Sequence, residues 1–246
     1  SVKQSLSVTN TTAAIGGANP MTTEEIRNYI SYNFAAQNRA VTIQDYISEL
    51  RTMPATFGAA AKVGVQEIEN KVNLDVLSYT PDGKLTSFVS KTLKDNIANY
   101  LSNYRMMNDY IVVGSANVID LSIETSLILE SSVNQGEVVA NIITKISDYF
   151  SVDKMEMGKD LSVSALKGNI QKQIGVITVV NLKVYNKVGD GYSESVTSQP
   201  YINPSTREIG LVDDTVFTQP DEILQIRMPQ KDIVIRVKKP TKPIFT

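Results

Sequence analysis

The stretch IGGANPMTTEEIRNYISYNFAAQNRAVTIQDYISEL, residues 15–50, contains two amphipathic patterns that each begin at a threonine. Thr22 is followed three residues later by Glu25, which is the spacing of a capping box, and Thr42 stands in the same relation to Asp45. Apolar side chains then recur at helical spacing, namely Ile26, Tyr29, Ile30, Phe34, Ile43, Tyr46, Ile47 and Leu50. The short polar break between the two patterns predicts a hairpin of two helices.

Three features of this stretch occur together and in order. They are the glycine pair at 16–17, the helix start Thr-Glu-Glu-Ile-Arg at 23–27, and Asn-Arg-Ala-Val-Thr-x-x-Asp-Tyr at 38–46. In these features the chain resembles the baseplate J-like family, the wedge proteins of contractile phage tails. The resemblance is most specific over 16–50 and continues more loosely to about Tyr185. The family motif marks architecture, so no catalytic residue is transferred from it.

The resemblance implies a structural role in the virion tail baseplate, with assembly in the host cytoplasm. It implies a ring around the tail hub and a rearrangement that triggers sheath contraction. The implied partners are a second copy of the chain in a homodimer, neighbouring baseplate wedge proteins and hub-proximal tail proteins. The resemblance implies no cofactor. We expect a large part of the dimer surface to come from one of two helical regions.

Composition narrows the possible chemistry. The chain has 246 residues, 42% of them hydrophobic, and a formal charge of −2, so no overall field favours nucleic acid or membrane as a partner. It contains no histidine and no cysteine, and therefore lacks the usual general base and thiol nucleophile. We therefore expect no enzyme activity and no metal site. The first methionine is Met21, which predicts a C-terminal fragment of a longer protein.

Local patterns predict a mixed order of strands and helices. The strongest strand signal is at 117–129, where apolar and polar residues alternate. The predicted order is strand 59–68, strand 72–79, helix 87–105, strand 117–129, helix 136–150 and strand 174–185, with a short helix near 162–170. This order predicts an α+β fold with helices on one face of a layer. The most apolar run, 174–180, is too short to span a bilayer.

The character of the chain changes after residue 186, where turns and prolines become frequent. Short strands are predicted at 209–212, 222–227 and 232–238. We divide the chain into a lead-in and helical hairpin (1–54), an α+β core domain (55–186) and a small β-rich C-terminal lobe or arm (187–246). Basic side chains near the end fit a charged strand face or a docking arm for an acidic partner. Nucleic acid is disfavoured because Phe245 is the lone aromatic residue there.

Tyrosine is the residue type that best suits an assembly surface, because its ring is apolar and its hydroxyl polar. The interface candidates are Tyr29, Tyr32, Tyr46, Tyr100, Tyr104 and Tyr110, of which we expect two or three to lie at a subunit contact. A tail-associated module that binds host polysaccharide is the alternative function, and it would need an exposed aromatic and carboxylate cleft. A carboxylate-based glycosidase is the third class, but no sequence pattern indicates a suitable acidic pair.

Overall fold

The computed structural model describes residues 23, 27, 39–69, 71–80 and 83–238. The first predicted helix, with Tyr29 and Tyr32, lies outside these residues except for Thr23 and Arg27, which are helical. The basic end after Lys238 also lies outside them. The described part of the chain forms ten strands and five α-helices, which confirms the predicted α+β class.

The first sheet has four strands and is covered on one face by two helices. Its strands are β1 (Lys62–Ile68), β2 (Lys71–Tyr79), β3 (Leu85–Thr86) and β4 (Tyr110–Ser115), and its helices are α1 (Ile43–Arg51) and α2 (Lys91–Leu101). β2 is central, because it pairs antiparallel with β1 and parallel with β4, while its last two residues pair with β3. Side chains of both helices and of the sheet form one buried cluster that includes Tyr46, Leu50, Leu74, Ile97 and Leu101.

Helix α1 begins at the threonine that the sequence indicates. Thr42 Oγ accepts a hydrogen bond from the Asp45 N–H at 3.2 Å, and Asp45 Oδ2 accepts one from the Thr42 N–H at 2.8 Å, which completes the capping box. Helix α2 is shorter than the helix predicted over 87–105 and ends at Leu101. β4 is not among the predicted strands, because its run Tyr-Ile-Val-Val is apolar on both faces and shows no alternation.

The second sheet is organised around one long strand, β5 (Asn117–Leu129), which has the predicted bounds. β7 (Val176–Lys187) pairs antiparallel along one side of it. On the other side β9 (Glu222–Gln225) and β10 (Ile233–Lys238) pair parallel with successive parts of β5. Helices α3 (Gln135–Tyr149) and α4 (Val163–Gln171) pack against the sheet and complete a second, larger core.

Two of the strands that follow residue 187, β9 and β10, return to this sheet. β8 (Thr215–Val216) pairs with β6 (Leu161–Ser162), and the short helix α5 (Pro229–Asp232) leads into β10. The segment predicted as a small β-rich lobe therefore contributes two strands that pair with β5, a long-range contact that no local pattern indicates. Residues 209–212, predicted as a strand, make isolated bridges only.

Candidate assembly surfaces

The six candidate tyrosines differ in exposure. Tyr46 is 2% exposed, and its hydroxyl donates to Asp109 Oδ2 at 2.7 Å, so its ring belongs to the core. Tyr100 and Tyr104 are half-buried, with ring centroids 5.1 Å apart. Tyr110, at the start of β4, is 65% exposed and is the described candidate best placed to meet a partner. The structure does not describe Tyr29 and Tyr32.

Exposed apolar side chains surround the beginning of β4. Met107, in the turn before the strand, is 96% exposed, and Val112 within the strand is 39% exposed. A cavity of about 330 Å³ lies beside this turn and is lined by residues that include Val41, Ile43, Met106 and Met107. Large exposed apolar groups of this kind are characteristic of interaction surfaces.

The polar side of β5 is buried, which the alternating pattern did not reveal. Asp120, in the first half of the strand, is fully buried. Its Oδ2 accepts the Ser193 N–H at 2.6 Å, and its Oδ1 accepts Gln225 Nε2 at 2.8 Å. Arg227 Nη1 lies 3.9 Å from Oδ2. One carboxylate therefore connects β5 to β9 and to the loop after β7.

A second buried carboxylate, Asp232, anchors the same loop from the other side. Its Oδ1 accepts the Tyr192 hydroxyl at 2.6 Å and its Oδ2 accepts the Met228 N–H at 2.8 Å. Burial, and then the hydrogen bond to Asp232, raise the pKa of Tyr192 to about 12. Ser122 Oγ donates to the Asp232 carbonyl oxygen at 2.8 Å, which ties this corner to β5.

Glu222, at the start of β9, is the third buried carboxylate of this cluster. Its Oε1 accepts both the N–H and the hydroxyl of Ser198, at 2.8 and 2.6 Å, and its Oε2 accepts the Gln219 N–H at 3.0 Å. Both oxygens of all three carboxylates accept hydrogen bonds from the protein. We interpret the cluster as structural, because protein groups already donate hydrogen bonds to every oxygen of its carboxylates.

Lowering the pH is expected to increase the free energy of unfolding of the wild type relative to that of an Asp120→Asn variant. Burial raises the pKa of the Asp120 carboxyl, so protonation occurs in the folded state before it occurs in the unfolded chain. Stability from this group is therefore gained as the pH falls through the folded pKa, and it is lost as the pH rises. Urea unfolding of both proteins between about pH 7 and about pH 4 measures the difference. A difference that does not change with pH contradicts the assignment.

An open cleft lies between β7 and the loop at 200–211. Its volume is about 640 Å³, and its lining includes Tyr201, Asn203 and Glu208. Tyr201 is 65% exposed, whereas Glu208 is engaged by Lys183 at 2.9 Å. The cleft thus presents an aromatic ring and an amide beside a carboxylate that is already paired.

Two other properties of the described residues concern a membrane-spanning helix and a metal site. None of their helices combines the length and the hydropathy needed to cross a bilayer. No three acidic side chains among them are arranged to hold a metal ion.

The comparisons with known proteins identify a shared fold. No protein-family model matches the chain, and no curated protein matches it. Among solved structures, the chain is similar to a chain in the 6-fold symmetrised cryo-EM structure of the anti-feeding prophage baseplate, with a TM-score of 0.53 and 13% identity. The likeness is one of fold. It covers 84% of this chain and 42% of that one, so this chain spans about two fifths of the protein it matches.

Proposed function

We propose that the chain is a structural component of a contractile phage tail baseplate and has no catalytic role. The observation that carries the proposal is the fold match, which extends over 84% of the chain and is to a chain of a prophage baseplate. The resemblance of residues 16–50 to baseplate wedge proteins is independent support from the sequence. The localisation that follows is the virion tail, after assembly in the host cytoplasm.

Within the baseplate we propose the role of a wedge protein that forms a ring around the tail hub. This finer assignment rests on a resemblance in residue pattern to the T-even phage wedge protein of this kind, which extends into the last sixty residues or so. Its partners in this proposal are a second copy of itself, other wedge proteins and hub-proximal tail proteins. Rearrangement of these contacts would accompany sheath contraction.

The construction of the molecule supports an assembly role. The carboxylates Asp120, Asp232 and Glu222 hold a long loop and two late strands against β5. Large apolar side chains remain exposed on its surface, among them Phe88, Met107, Tyr110, Ile174 and Tyr201. Stable interfaces bury about 1,200–2,000 Å² in total and depend on a few such anchors.

Immunogold electron microscopy tests the location. Antibodies raised against the purified chain are expected to label the baseplate end of intact tails of the phage that encodes it. Antibodies against a sheath subunit, as a control, should label the tail along its length. Label that is absent from tails, or confined to the head, contradicts the proposed function.

Sedimentation velocity tests self-association. We expect the purified chain to sediment increasingly as a dimer when its concentration is raised, because a ring subunit must present self-complementary or head-to-tail surfaces. Sedimentation as a monomer up to the highest attainable concentration would contradict the homodimer, while leaving the baseplate location to the labelling experiment.

The cleft beside Tyr201 favours one second candidate, a host polysaccharide-binding module. An exposed aromatic ring next to Asn203 and Glu208 is the arrangement such a module needs. A glycan array distinguishes the two functions. Several related hits that disappear in a Tyr201→Ala variant would favour carbohydrate binding, and an empty array favours the structural role.

A further inference from the structure

The free edges of the two sheets are not equally protected against pairing with another strand. β10 carries the charged residues Arg236 and Lys238. β7 has two bulges at which Ile177 and Val180 are the extra residues. Charges and bulges are the devices by which proteins keep edge strands from pairing with other chains. β1 carries the charged residues Lys62 and Glu67.

β4 has none of these protections. Its six residues, Tyr110–Ser115, contain no charge and no proline, and they pair with β2 in an unbroken parallel register. Among the described strands, β2 is the single neighbour of β4 in the sheet. Alternate backbone groups of an edge strand point away from its neighbour, so, within the part of the chain that the structure describes, β4 has donors and acceptors with no strand partner along its free side.

When two copies of β4 are placed side by side and antiparallel, the side chains that face each other are complementary. Tyr110 and Val112 lie on the exposed face, while Ile111 and Val113 pack partly against the core under α2. A two-fold axis perpendicular to the sheet keeps each side chain on its own face of the sheet. Directly opposed residues must lie on the same face, so the axis has to pass beside a residue that faces the same residue of the other copy. With the axis at Val112, Tyr110 of each copy faces Gly114 of the other, and Ile111 faces Val113.

This register suits each pair. Gly114 has no side chain, and a Cβ there would lie 2.6 Å from Asp75 Oδ1, so the Tyr110 ring of the other copy would lie beside the Asp75 carboxylate. In the next position Ile111 of one copy faces Val113 of the other, and both are β-branched. Each would cover an apolar side chain that is only half-buried in the single chain. No like charges face each other, because the strand has none. On β10 the same operation would bring basic side chains together.

We propose that β4 is the surface through which two copies of this chain pair, antiparallel and centred on Val112, to form one continuous sheet. The inference deepens the proposed assembly role and rests on its self-association. The contact then lies on a strand and not on one of the two helical regions expected from the sequence. The interface includes Tyr110, and the exposed Met107 lies just beyond the paired residues.

A disulfide measures the register directly, because the chain has no cysteine of its own. Opposed residues of an antiparallel pair have Cα atoms about 4.5–5.5 Å apart, within the about 4.4–6.8 Å range that a disulfide spans. Val112→Cys is therefore expected to give a covalent dimer under mild oxidation. Ser115→Cys, on the same strand but off the axis, should crosslink at least tenfold more slowly.

Val234 on β10 supplies the matched control, because its exposed fraction is 40% and that of Val112 is 39%. Val234→Cys should also crosslink at least tenfold more slowly than Val112→Cys. Equal crosslinking of all three variants would overturn the proposal, because it would indicate random collision.

Charge variants test the affinity. Val112→Lys is expected to raise the dimer dissociation constant at least tenfold, because it places two ammonium groups face to face, while Val234→Lys should change it less than twofold. An equimolar mixture of Val112→Lys and Val112→Glu should dimerise again, which shows that both variants are folded.

Two results would overturn the proposal, and they have different meanings. A Val112→Lys protein that dimerises as the wild type does would remove β4 as the surface, and self-association through another face would stand. A wild type that is monomeric at every concentration would remove both the surface and the proposed homodimer.

Discussion

The Gly64→Ala variant is expected to lose about 3 kcal/mol of the free energy of unfolding. A Cβ at Gly64 would overlap the carbonyl oxygen of Pro220, and it would also lie 3.3 Å from Met157 Cε. The first obstacle is backbone, so no side-chain rotation relieves it. β1 is held on its other side by the ladder with β2, and the loop before β9 must therefore move. Urea unfolding followed by circular dichroism measures the loss.

Gly168→Ala is the control for this variant. Gly168 lies within α4, and a Cβ there would have no atom within 4 Å. Alanine should stabilise the helix by about 0.5–1 kcal/mol, because glycine loses more backbone entropy on folding. If Gly64→Ala were as stable as Gly168→Ala, the close approach of β1 and the Pro220 loop would be wrong.

Asp120→Ala is expected to lower the free energy of unfolding by about 3–5 kcal/mol. The variant leaves the Ser193 N–H and the Gln225 amide without their common acceptor at a fully buried position, and it removes the ion-pair partner that lies 3.9 Å from the Arg227 guanidinium. Buried donors without partners cost more than the hydrogen bonds themselves contribute. Thermal unfolding followed by calorimetry measures the effect.

Asp95→Ala is the surface control. Asp95 pairs with Lys91 on α2 at 2.6 Å, and its side chain is 55% exposed, so its removal should change stability by less than about 0.5 kcal/mol. Hydrogen exchange adds a second measurement, because the Ser193 amide should lose protection in Asp120→Ala alone. Unchanged protection there would show that the carboxylate does not hold the loop.

The strongly patterned elements could be predicted from the sequence because their signals are local. The capping box at Thr42 and the alternation along 117–129 both depend on residues a few positions apart. The structure contains both the capping box and the strand that the alternation predicts. β4 could not be predicted from alternation, because an edge strand that is apolar on both faces has no polar side. Tyr46 shows the same limit, since a helical stripe does not distinguish a core ring from an interface ring.

The sequence by itself determined the α+β class, the start of α1, the bounds of β5 and the absence of histidine and cysteine chemistry. The tertiary structure alone decided that β9 and β10 return to β5, that Asp120 is buried beneath a loop, and that β4 is an edge strand among the described strands. The physical reason is range. Caps and alternation are interactions between neighbours in the chain, whereas strand pairing and the burial of a carboxylate depend on residues up to about a hundred positions apart, as in the 105-residue separation of Asp120 and Gln225.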